Sequence, residues 1–225
     1  MAKKRYQRPP IVEVRCEAVV TGGQWTDETP FHLRAHLLEQ YPRQVSAPAK
    51  ESRARLIVSR KDDSQTVQFF PHKVIVSQLR PYPGFRVLSS SVLDMVALHR
   101  EVMGSARVER IGIRYVNRIA LPNPHMDVSR YLKVESSRAN GFRRRMILKP
   151  LNPGHKLVAT AGSSHSSRAP FGVVLLDIHD YLDAGDCGDI PNLAACLEEV
   201  HQNVEDAFER LVTDEARQTF EEQRV

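Results

Sequence analysis

The chain lacks the run of about eighteen apolar residues that a membrane-spanning helix needs, and its N-terminus, MAKKRYQRPP, carries charge with no apolar stretch behind it. No membrane association is expected. Cysteine is scarce: Cys16, Cys187 and Cys196 cannot all pair within the chain and none stands in a CxxC motif, so free thiols and a reducing, cytoplasmic compartment are expected. Familiar catalytic signatures are missing as well. There is no GxxxxGK, no GxGxxG after a strand, no HExxH and no GxSxG, which disfavours the common cofactor and hydrolase classes. His165, in the serine-rich stretch from Ser163 to Ser167, has no neighbours that would make it part of a triad. Aromatic residues make up only 7% of the chain, and Trp25, Tyr82 and Phe85 stand in turn-like segments where such residues pin loops to a core.

What is present suffices for a sizeable core: 225 residues, 41% of them apolar, are expected to fold without staples as one domain over 1–225 that opens with a basic arm at 1–8. The formal charge of +5 and pI near 9.2 permit a nucleic-acid or phosphate partner without demanding one.

The stretch ARVERIGIRYVNRIAL organises the rest. At a strand's period of two, Ile111, Ile113, Tyr115 and Ile119 share one face, and Arg110, Arg114 and Arg118 share the other. Arginines four apart on a strand stand about 13 Å from one another, so the row crosses most of a sheet face. IVEVRCEAVV alternates in the same way, with Val12, Val14, Cys16, Ala18 and Val20 opposite Glu13, Arg15 and Glu17. Short strands follow in RARLIVSR, TVQFFP and KVIVSQLR, and later in RRRMIL, HKLVATAG and FGVVLLDIHDY. Helices are predicted after Thr29-Pro30, read as N-cap and first helical residue, and after the serine cluster that precedes Val92, Met95, Val96, Leu98 and Val102. A third runs through Leu193, Leu197, Val200, Val204, Phe208 and Leu211, and Thr213 caps a last short helix.

This order predicts an α+β fold: a curved, mostly antiparallel sheet with helices packed on one face and a long C-terminal helix. The chain reads as two similar halves, 8–138 and 139–225, each running strands and then a helix.

The segments PPIVEVRCE, RPYPGF, RIGIRYVNRI, LDIHDY and AFERLVTDEARQTF, in this order and spanning the chain, resemble the landmarks of a sporadically distributed prokaryotic family with no assigned activity. Phe85 stands where that family carries an aromatic, often tryptophan. The resemblance implies no catalytic residues or cofactor. The patchy distribution is similar to that of mobile accessory genes, including those of phage defence.

The chemistry-bearing residues fall on strand faces. The expected binding face comprises Arg110, Arg114 and Arg118, together with Arg15, Arg143, Arg145 and Lys149. On it a partner protein or nucleic acid would be engaged without catalysis or cofactor. The alternative makes Glu13, Glu17 and Asp177 ligands of a divalent cation in a sheet-lined tunnel, beside the basic rows and His179, for a phosphate- or nucleotide-processing enzyme. Its likeness to triphosphate-tunnel enzymes is loose, because arginine replaces the second glutamate of their alternating pattern at Glu13-Val-Arg-Cys-Glu17. A plainer reading is cross-strand ion pairing, at roughly 0 to 1 kcal/mol a pair. His32 and His36 share a helix face but lack a third metal ligand. Asp177, Asp180, Asp183, Asp186 and Asp189 recur every three residues without the spacing of a calcium loop, which reads as a solvated acidic segment able to receive basic residues of a second copy.

Overall fold

A computed structural model describes residues 5–45, 56–104, 107–121, 127–134, 143–164, 172–183, 190–220 and 222–223. The expected polar linker at 135–141, the serine-rich loop at 165–167, and Cys187, Asp186 and Asp189 lie outside them.

The elements run β1 (Arg5–Tyr6), β2 (Ile11–Thr21), α1 (Thr29–Leu37), β3 (Arg43–Gln44), β4 (Leu56–Ser59), β5 (Gln65–Phe70), β6 (Lys73–Leu79) and α2 (Phe85–Met103). They continue with β7 (Arg107–Leu121), a 3-10 turn at Val128–Arg130, β8 (Arg143–Leu148), β9 (His155–Ser164), β10 (Gly172–Asp183), α3 (Ile190–Leu211), α4 (Asp214–Thr219) and β11 (Glu222–Gln223). Nine strands form one antiparallel sheet in the order β3-β4-β5-β6-β2-β7-β10-β9-β8, open at both ends, and β1 pairs with β11 separately. The expected α+β architecture is thus what the chain adopts.

Alternation decides which face is which. In β2, Val14, Cys16, Ala18 and Val20 are buried, and in β7 Ile111, Ile113, Tyr115, Ile119 and Leu121 are buried beside them. Against that apolar face lie α2 and α3, the latter contributing Leu193, Leu197, Val200, Val204 and Ala207, all buried. Each large apolar side chain so covered contributes about 1.5–3 kcal/mol. The helix stripe therefore serves as core of the same chain.

Polar links fix the register of α3 on the sheet. The Tyr82 hydroxyl lies 2.9 Å from that of Tyr115, which lies 3.0 Å from His201 Nδ1, while His201 Nε2 meets Glu205 at 3.2 Å and Phe85 stacks on the imidazole at 3.9 Å. With Nε2–H donating to Glu205, Nδ1 is left to accept from Tyr115. A second link is buried: Asp180 Oδ2 accepts from Asn203 Nδ2 and meets His155 Nδ1, each at 2.7 Å.

Several local expectations need correction. Thr29 is the first helical residue and Glu28 precedes it as N-cap, while the Thr29 hydroxyl accepts from the backbone N–H of Thr26. α2 begins at Phe85, before the serine cluster, because Gly84 at φ 100° turns the chain directly out of the RPYPG segment. Asp180 belongs to β10 and is fully buried, so the aspartate run is in part a strand and not a solvated segment. Cys16 is free and buried, but Cys196 is disulfide-bonded, which corrects the expectation of free thiols there and removes its support for a reducing compartment. Arg5 and Tyr6 of the N-terminal arm are tied down through β1 and the Tyr6 hydroxyl, which donates to Glu209 at 2.6 Å. No described helix is long and apolar enough to cross a membrane.

β2, α1, β4–β6 and α2 form one strand–meander–helix unit, and β7, the 3-10 turn, β8–β10 and α3 form the other. β2 and β7 meet antiparallel at the centre, with Cys16 opposite Ile113, so β7 opens the second unit.

Candidate functional site

The register aligns the charged residues in rows across the face away from the helices. One row runs Arg15, Arg114, His179, Val158 and Ile147, on β2, β7, β10, β9 and β8. The row beside it runs Glu13, Val116, Asp177, Thr160 and Arg145. On its other side stand Glu17, Gly112, Tyr181 and Lys156, and beyond Asp177 come Arg118, Leu175, Gly162 and Arg143. Five strands from distant parts of the sequence thus place the predicted strand residues, Lys149 excepted, on one surface.

Within it lies a cavity of about 420 Å³, with Arg15, Arg114, Arg143 and Arg145 around it, Glu17 and Asp177 as its carboxylates, and His179 and Thr160 as its neutral polar groups. The volume falls in the range of small-ligand sites, about 300–1,000 Å³.

The arginines divide into two kinds. Asp177 holds Arg114 by a two-pronged bond, Nε to Oδ1 at 2.8 Å and Nη2 to Oδ2 at 2.6 Å, which raises the Arg114 pKa further above its ordinary value. Glu17 is shared by Arg110 at 3.4 Å, Lys73 at 3.5 Å and Arg15 at 3.7 Å, so one carboxylate faces three cations. Arg118, Arg143 and Arg145 have no carboxylate partner among the described residues. Cross-strand pairing therefore accounts for Arg110 and Arg114 and leaves Arg118, the last of the row, without a carboxylate among the described residues.

Glu17 and Asp177 turn their oxygens toward cations, and no group of three or more His, Cys, Asp or Glu side chains able to hold a metal occurs among the described residues. Lys149 lies just past β8, outside the cavity lining, and its carbonyl accepts from Arg210 at 2.9 Å. Arg118 shares the face but not the lining, and His32, exposed on α1, sits 3.9 Å from Glu28.

Thr160, Tyr181, Lys73, Lys156 and Gly112 were not singled out from the sequence. Tyr181 is in phase with Asp177 and His179, and Gly112 with Arg110 and Arg114, so the period of two carries that signal. The Tyr181 ring has Arg110 at 5.5 Å and Lys156 at 5.4 Å from its centre, an arrangement that holds both cations over this end of the face. Burial lowers the pKa of His179 below its ordinary value, which leaves the imidazole neutral at pH 7.

Neither a scan against protein-family models nor a search of curated proteins finds a match to this chain.

Proposed function

We propose that this is a non-enzymatic binding protein whose arginine-rich sheet face takes the phosphate backbone of a nucleic acid. The observation that carries the reading is the set Arg118, Arg143 and Arg145, cations on one face without a carboxylate partner among the described residues, beside a cavity ringed by two more arginines. An acidic protein partner would use the same charges, but it offers less reason for a recess of small-ligand size among them. The divalent-cation enzyme has weaker support: of its three carboxylates Glu17 and Asp177 are engaged by arginines, and the open sheet makes no tunnel. On the sequence resemblance alone, the role is an accessory one in prokaryotes, in the manner of phage-defence proteins.

The test is fluorescence anisotropy with labelled single strands of several sequences across a salt series. Wild type should bind all of them with similar affinity, and R118Q, R143Q and R145Q should each weaken binding for every sequence and lower the salt slope by about 0.7. Affinities that stay flat across the three variants, or a preference for acidic peptide over nucleic acid, would overturn the reading.

A further inference from the structure

We infer that the cavity is a subsite for a terminal phosphomonoester, the phosphate at the end of a nucleic-acid strand or on a free mononucleotide. The inference rests on the phosphate-binding reading above and names which phosphate the recess takes. Its lining sets four guanidinium groups against two carboxylates, leaving two positive charges. A phosphate within a strand carries one negative charge, whereas a monoester carries about −1.5 to −2 at pH 7. The recess is therefore matched to a chain end and overcharged for a phosphate in mid-chain. Sharing of Glu17 with Lys73 and Arg110 outside the lining strengthens the imbalance.

The remaining groups fit the same ligand. Arg143 and Arg145 stand two apart on β8, so both side chains project from one strand face with Thr160 opposite Arg145 on β9. Guanidinium forks and a hydroxyl are the donor set that a tetrahedral dianion accepts. Asp177 acts on the ligand only by orienting Arg114, a positioning role. The neutral imidazole of His179 supplies a hydrogen-bonding group without adding charge. Gly112 keeps the floor open: a Cβ there would sit 3.0 Å from Tyr181 Cβ and 3.2 Å from His179 Nε2. With its ring already flanked by Arg110 and Lys156, Tyr181 is not free to stack on a base, so recognition is of the phosphate whatever the base.

The full chain is titrated by anisotropy with one short single strand bearing a 5′-phosphate, a 3′-phosphate or neither, and by calorimetry with AMP against adenosine. At least one phosphorylated end should bind about tenfold tighter than the unphosphorylated strand. R145Q, an exposed change that leaves the core untouched, should bring the forms to within about twofold. Equal affinity for all three strands overturns the subsite and leaves the nucleic-acid reading standing. Binding of AMP but of no strand supports the subsite with a mononucleotide as its source and overturns the nucleic-acid reading. Binding of none overturns both.

Discussion

At the scale of single residues, the face is built by what β7 places between its arginines as much as by the arginines themselves. Gly112 stands between Arg110 and Arg114 and opposite Tyr181, and a side chain there would press on Tyr181 Cβ at 3.0 Å and on the Asp180 carbonyl at 3.2 Å. Both contacts belong to the neighbouring central strand, which is itself held by β9. G112A should therefore destabilise the fold by about 1–3 kcal/mol, the usual cost of overpacking, and urea unfolding should show a lower midpoint with an unchanged slope. An unchanged midpoint would mean that β7 and β10 separate there without cost. Arg114 gives a second expectation. D177N keeps the shape but removes the negative charge and one of the two acceptors of the two-pronged bond, and with both partners partly exposed the loss of stability should be small, about 0–1 kcal/mol. Because the same change leaves Arg114 poorly oriented and the face more positive, salt dependence of strand binding should steepen while unfolding stays almost unchanged. A large loss of stability with unaltered salt dependence would assign Asp177 a purely structural part.

At the scale of elements, what was legible followed from periodicity, and what was not depended on partners. Strand alternation assigned Arg15, Glu17, Arg114 and Asp177 to polar faces, because period two needs no knowledge of neighbours. Strand order was not legible, since pairing of β2 with β7 joins residues about a hundred apart whose side chains carry no mark of each other. The buried polar residues were hidden for the same reason: Asp180 reads as one of an acidic run until His155 and Asn203 are brought against it by β9 and α3. His99 is a comparable case on α2. It is buried, its Nε2 meets the Phe70 carbonyl at 3.0 Å, and burial lowers its pKa below 6.5. A lowered folded pKa means that the unfolded chain binds the proton first, so the contribution is fully present above pH 6.5 and is lost as pH falls from there toward the folded value. H99Q, which keeps an N–H donor for Phe70, should flatten the fall in stability below pH 6.5 by up to about 1.4 kcal/mol per pH unit. Parallel curves for the two proteins from pH 7 to 5 would show that His99 does not titrate with unfolding.

At the scale of the whole molecule, two strand–meander–helix units joined through β2 and β7 make one broad sheet whose helices cover a single face. Among the described residues the consequence is an uncovered face wide enough to gather charges from five strands, and also two free edges, β3 and β8. β3 is only two residues long, which limits its use as a template. β8 is six residues long, and Ile147 on it is 86% exposed, so it has the length and apolarity to pair with another strand. Its first three residues are all arginines, and like charges opposed across a strand pair are destabilising. Two of these arginines belong to the phosphate face, and the run as a whole would oppose the joining of copies edge to edge. Replacing the run by R143T/R144T/R145T, with threonine favouring the strand, should shift the protein toward larger species than wild type in sedimentation velocity at equal concentration. Adding I147K, which returns one charge to the edge, should reverse the shift. If the triple variant sediments as wild type does, the arginines are not what protects this edge, and their placement is to be explained by the phosphate alone.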